Sequence, residues 1–180
     1  MDNGVCDMVD IVEISHLGMI KSSLERLWPS EADTAELAER LAVQPALAHC
    51  TLALNGGLGA GKTTFTRYLL RALGVQGRIK SPTYALIESY EVQAAWGALA
   101  VWHFDFYRLE DPQEWEDAGL RELFASPGLK VVEWVDKAGA LAPPVDLRMD
   151  LSIAADGEQR RVVLHALTPV GAELLQGVAA

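Results

Sequence analysis

Gly56-Gly57-Leu58-Gly59-Ala60-Gly61-Lys62-Thr63 follows the pattern G-x-x-x-x-G-K-[ST], and its residue types are those that phosphate binding needs. The glycines let the backbone curl so that successive N–H groups converge on phosphate oxygens. Lys62 brings a cation to β- and γ-phosphates, and the Thr63 hydroxyl is a hard oxygen suited to magnesium. The residues before the motif, Cys50 to Leu54, read as a buried strand. Those after it, Thr64 to Leu73, read as a helix that begins near Gly61 and adds the positive end of its dipole. Strand, glycine loop and helix in that order make a P-loop, so ATP or ADP with Mg2+ is the expected ligand.

Phosphate binding becomes hydrolysis only with an acid near the magnesium, placed at the end of a second apolar strand. Two carboxylates qualify. Asp105 ends the run Ala98 to Phe104, and Glu133 ends Leu129 to Val132. Open α/β sheets collect their ligands at strand C-termini, so at least one of the two should act on magnesium or on its water. Thr83, in Ser81-Pro82-Thr83-Tyr84, is a candidate γ-phosphate sensor of the switch-loop kind. Trp134 follows Glu133 directly and should lie near the nucleotide. His103, between Trp102 and Phe104, reads as a core histidine. The asparagines are Asn3 and Asn55, neither followed by lysine. The N-K-x-D device for reading guanine is therefore absent, and adenine is the default base.

The elements that must carry these residues follow from periodicity. Val9 to Ile14 suggests a short strand and Ile20 to Leu27 a short helix, with Pro29-Ser30 as a break. Thr34, Leu37, Ala38, Leu41 and Ala42 form an apolar stripe at helical spacing, with Asp33 or Thr34 as the N-cap. Beyond the P-loop helix, closed at Gly74, strands are expected over Ala85–Tyr90 and Ala98–Phe104. Helical pieces are expected from Asp111-Pro112 and from Gly119 to Phe124. A hairpin joins Val145–Ile153 to Arg161–Leu167 through Ala155-Asp156-Gly157, and Pro169–Val178 reads as a terminal helix. The fold expected is α/β: a P-loop NTPase-like three-layer fold with a mixed central sheet and a C-terminal hairpin. Residues 1–28 are read as an N-terminal extension and residues 29–180 as a single P-loop ATPase domain.

The chain has 180 residues, half of them apolar, and a formal net charge of −10. That charge repels nucleic-acid phosphates and argues against gripping RNA or DNA alone. Arg67, Arg71, Arg78 and Lys80 are best read as a solvated helix face with its loop. Cys6 and Cys50 have no metal-ligand spacing and suit a reducing, cytoplasmic setting. No stretch reaches the ~18 apolar residues of a membrane helix. The acidic start is unlike a signal peptide, and Met19 is an alternative initiation site.

Several segments together resemble one family. Thr34 to Ala38, Leu58 to Thr64, Lys80-Ser81-Pro82-Thr83-Tyr84, His103-Phe104-Asp105-Phe106-Tyr107-Arg108-Leu109 and Val132-Glu133-Trp134 come in the order and spacing of the TsaE (YjeE) family. These are small bacterial P-loop ATPases needed for threonylcarbamoyladenosine in tRNA. The resemblance spans about residues 30 to 167 and implies roles. Thr63 and Glu133 would bind magnesium, and Asp105 would be a second acid for hydrolysis beside Lys62. Gly59, Ala60, Gly61, Lys62, Thr63 and Thr64 would cradle phosphates, and Thr34 would approach the nucleotide. A basic residue near the hairpin turn, Arg160 or Arg161 with Arg161 taken as the contact, would touch it too. The implied partners are a TsaD-like transferase and a TsaB-like subunit, which hold tRNA, with ATP hydrolysis resetting the assembly and slow turnover without them. A small-molecule kinase using Asp105 as general base is the alternative, and a nucleotide-gated binding module a third.

Overall fold

The computed structural model describes residues 22–79, 82, 86–109 and 119–179, together with the backbone of 12–13. The expected helix from Asp111-Pro112 and the residues Thr83 and Tyr84 lie outside that set. Strands run over Val12–Glu13 (β1), Ser22–Trp28 (β2), Thr51–Asn55 (β3), Ile87–Ala94 (β4), Gly97–Asp105 (β5), Leu129–Glu133 (β6), Leu147–Ile153 (β7) and Arg160–Ala166 (β8). Helices run over Glu31–Ala42 (α1), Lys62–Ala72 (α2), Leu120–Ala125 (α3) and Pro169–Ala179 (α4). The strands form one sheet in the order β1-β2-β8-β7-β3-β6-β5-β4.

The sheet is mixed. β3 is parallel to both β6 and β7, and β5 is parallel to β6. The flanking pairs β2–β8, β7–β8 and β4–β5 are antiparallel. The four parallel strands β5, β6, β3 and β7 therefore end at one edge, where Asp105 is opposite Glu133 and Glu133 opposite Leu54. This is the edge at which such a sheet gathers ligands.

Alternation along the strands divides the interior into two cores. Leu52, Leu54, Val101, Leu129, Val131, Met149 and Leu164 face α1, α2 and α4 on one side. Ala53, Phe104 and Val132 face Leu120 of α3 and the 3₁₀ turns of Val135–Leu141 on the other. Helices thus cover both sides of the central strands, and the architecture is the three-layer α/β arrangement expected. The C-terminal hairpin is present, its turn held by Asp156 Oδ1, which accepts from the Glu158 and Gln159 N–H groups at 3.0 Å. Among the described residues no helix is long and apolar enough to cross a membrane. Cys50 is a free, fully buried thiol whose pKa burial pushes well up.

Two expectations near the N-terminus are corrected. Ser22–Trp28 is a strand, paired along its whole length with β8, rather than part of a helix over Ile20–Leu27. Its inward residues, Leu24 and Trp28, are four apart, a spacing that suits period 2 as well as period 3.6. The domain therefore takes in residues 22–28, and the boundary drawn at residue 28 falls too late. Helix α1 starts at Glu31, ahead of the expected caps Asp33 and Thr34. Ser30 is its N-cap: its Oγ accepts from Ala32 N–H at 3.2 Å, and Asp33 closes the box by accepting from Ser30 N–H at 2.9 Å. That reciprocal pair satisfies two of the helix's orphan donors.

Candidate active site at the P-loop

The P-loop turns from β3 into α2 through positive φ angles, so its geometry is glycine-dependent. Gly59 has φ +76° and Gly61, the N-cap of α2, φ +109°. Residues with a Cβ rarely adopt either conformation. A Cβ built on Gly59 would project into open space rather than into protein. That space, backed by the N-terminus of an eleven-residue helix, is a fit for phosphate.

Lys62 opens α2 and is only 5% exposed. Its Nζ donates to the carbonyls of Gly56 at 2.8 Å and Gly57 at 2.9 Å, and lies 3.9 Å from the centroid of the Trp134 ring. Burial lowers its pKa, while Glu133 and Asp105 pull it back up. Trp134 reaches this position by taking φ +60° directly after β6, the sole non-glycine residue with positive φ among those described. Tyr107 packs on its ring, the centroids 5.1 Å apart.

The acids converge on the first turn of α2. Strand parity puts His103 and Asp105 on the same sheet face as Val101, and Glu133 on the same face as Val131, all toward α2. Thr63 Oγ1 donates to Glu133 Oε2 at 3.0 Å. The other carboxylate oxygen, Oε1, is 2.9 Å from His103 Nε2. Glu133 is 2% exposed and His103 fully buried. Burial raises the pKa of Asp105; the Tyr107 N–H, donated to its Oδ1 at 3.0 Å, works against that, and the charge of Glu133 adds to it.

Two clefts flank the loop. One, of about 550 Å³, is lined by Lys62, Thr63, Asp105, Glu133 and Trp134, with Pro82 at its wall. The other, of about 280 Å³, lies between Thr34, Trp28 and Arg160. Gly59, Gly61 and Thr64 line both, so the clefts are two sides of one glycine loop, and Ala60 lines the second of them. The expected residues Lys62, Thr63, Asp105, Glu133 and Trp134 are thus brought together, and Thr34 stands across the loop from them.

Arg161 is not brought there. It makes a two-pronged ion pair with Glu25 of β2, at 2.5 and 2.9 Å, on the exposed side of the sheet. Arg160, its neighbour in β8, points to the opposite face and lines the cleft. Of the two arginines that the sequence offers, Arg160 is the one that reaches the cleft and Arg161 is not. His103 is the site residue the sequence reading left in the core. Its signal was strand parity with Asp105.

The donor set fits magnesium with a nucleotide. Thr63 and Glu133 offer two hard oxygens 3.0 Å apart, and magnesium takes one or two protein oxygens beside phosphates and waters. Among the described residues no set of three or more His, Cys, Asp or Glu side chains gathers to hold a metal by itself.

The family described as threonylcarbamoyl adenosine biosynthesis protein TsaE matches residues 28–163. The tRNA threonylcarbamoyladenosine biosynthesis protein TsaE of Haemophilus influenzae is 39% identical over 122 residues, 68% of this chain and 73% of its own. That of Aquifex aeolicus is 34% identical over 143 residues, 78% of this chain and 95% of its own. The crystal structure of YdiB from Bacillus subtilis superposes with a TM-score of 0.67 at 28% identity, covering 92% of this chain and 97% of that one. With most of its length matched by the family and by these relatives, and its fold shared with YdiB, the chain belongs to the TsaE family of threonylcarbamoyladenosine biosynthesis proteins.

Proposed function

We propose that this protein is the magnesium-dependent ATPase of a threonylcarbamoyladenosine-forming system. It works in the cytoplasm with TsaD-like and TsaB-like partners that hold the tRNA, and ATP hydrolysis resets the assembly. The observation that carries the ATPase reading is the contact of Thr63 with Glu133 beside the P-loop, which joins a phosphate cradle to an acid.

The residues divide the work. Backbone N–H groups from Gly59 to Thr64 hold phosphate oxygens, and Lys62 adds a cation at their centre. Thr63 Oγ1 and Glu133 Oε2 would hold magnesium, which when bound neutralises charge building on the phosphoryl oxygens. Asp105 orients the attacking water. Its Oδ1 already accepts from Tyr107 N–H, so the other carboxylate oxygen receives the water's proton. The upward shift of its pKa by burial makes it a better proton acceptor. Thr34 and Arg160, across the loop, would take the remainder of the nucleotide. The acidic surface, with a net charge of −10, supports leaving tRNA to the partners.

Phosphate release from ATP tests the reading, measured for the chain alone and with the TsaD-like and TsaB-like subunits and tRNA. Release should rise when the partners are added and should fall about tenfold or more in Glu133→Ala and Asp105→Ala. Wild-type turnover in both variants with partners present would remove the assigned roles. Turnover that partners leave unchanged would favour a self-contained enzyme.

A further inference from the structure

His103 is a buried polar residue that follows the apolar Leu99 and Val101 on one face of its strand and precedes Asp105 there. An apolar side chain there would keep the core continuous, and replacing a buried ionic pair by apolar residues is often neutral or stabilising. Packing therefore gives no reason for an imidazole at this position. Its one hydrogen-bond partner among the described residues is Glu133 Oε1, at 2.9 Å. The other ring nitrogen, Nδ1, is enclosed and has none. An enclosed N–H without an acceptor is costlier than a bare lone pair, so the proton belongs on Nε2, where it is donated to the carboxylate.

We infer that His103 is a positioning residue for magnesium: it holds Glu133 by Oε1 so that Oε2 stays turned to Thr63 and the metal. The inference rests on the ATPase reading above. Without His103, Glu133 would be a buried carboxylate with Lys62 as a cation whose charge it already feels. A swing toward Lys62 would take away the oxygen that faces Thr63 and would occupy the lysine meant for phosphate. The histidine thus keeps acid and lysine apart. Glutamine is the substitution that imitates this. Its amide nitrogen lies about as far from Cβ as Nε2 of histidine, whereas that of asparagine sits nearer, where Nδ1 would be.

The test measures ADP affinity by calorimetry with and without Mg2+, and the Mg2+ concentration giving half-maximal ATP hydrolysis. Cooperative melting checks the fold of each variant. In His103→Leu, the gain in ADP affinity on adding Mg2+ should be smaller than in wild type. The Mg2+ requirement should rise about ten- to a hundredfold, the range for losing a partner that orients a metal ligand. His103→Gln should recover most of that loss and His103→Asn should not. A folded His103→Leu with a wild-type Mg2+ requirement would overturn the inference. If His103→Leu fails to fold, equal Mg2+ requirements for the glutamine and asparagine variants would overturn it instead. A wild-type protein that binds no ADP in Mg2+ would remove the ATPase reading itself, a result distinct from any pattern among the variants.

Discussion

Replacing Lys62 with alanine should separate nucleotide affinity from stability. In the free protein Nζ donates to Gly56 and Gly57 at 2.8 and 2.9 Å and rests on the Trp134 ring at 3.9 Å. Gly56 is half-buried and Gly57 exposed, so water can replace the ammonium at both carbonyls. Each of those charge-assisted bonds, worth about 1.5–3 kcal/mol where the acceptor is left bare, then contributes only part of that, and the ring contact adds about 0.5–2 kcal/mol. Against them stands the desolvation of Lys62, visible as its lowered pKa, which alanine removes. The opposing effects should leave stability within about 2 kcal/mol of wild type, or roughly 4–8 °C in Tm at most. With phosphate bound nothing opposes the loss. A charge-assisted contact is worth about 1.5–3 kcal/mol, so affinity should fall about ten- to a hundredfold. Calorimetry with ADP and Mg2+, alongside thermal melting, reads both numbers. Unchanged affinity in a variant that melts cooperatively would refute the placement of phosphate at this lysine. A Tm lower by much more than the stated range would refute the claimed balance.

Asp105→Asn should melt higher than wild type at neutral pH without nucleotide. Because burial raises the folded pKa of Asp105, its contribution to stability is full below the unfolded carboxylate pKa and is lost as pH rises through the folded value. The advantage of the asparagine should therefore shrink on acidification, and a pH-independent difference in melting would contradict the account. Emission from Trp134, isolated by changing the other four tryptophans to phenylalanine, should change when Mg·ADP fills the cleft; a flat titration at saturation would place the ring elsewhere. Arg160→Ala should weaken ADP binding about tenfold, the loss of one hydrogen bond to a charged group. Arg161→Ala should leave affinity unchanged, as its exposed pair with Glu25 is worth about 0–1 kcal/mol; the opposite ranking in calorimetry would reverse the assignment.

The P-loop was legible because it is local: eight adjacent residues specify the turn and the helix start together. Asp105 and Glu133 were legible because each ends an apolar run, and parallel strands bring such ends to one edge. What escaped depends on parity and on distant partners. Ser22–Trp28 becomes a strand only by pairing with β8, far along the chain, and its inward spacing fits a helix equally well. In β8, Val162 and Leu164 alternate with Val163 and His165, so hydrophobicity does not say which arginine faces the cleft. His103 looks like core until the register of β5 on β6 sets it beside Glu133. Ser30 was passed over as a cap because the apolar stripe of α1 begins one turn after the helix does.

The pairing of Trp28 with Arg160 also bears on when the site can exist. During synthesis β2 leaves the ribosome early, while the strand that completes it emerges near the end of the chain. Until β8 arrives, β2 has no partner on that side and the wall of the second cleft is missing. Closing so long a loop is entropically slow. β3, which carries the P-loop, likewise waits for β6 and β7, so both walls of the site are completed only once the second half of the chain has joined the sheet. Full recognition of a nucleotide would mark the moment when β2 and β8 have met.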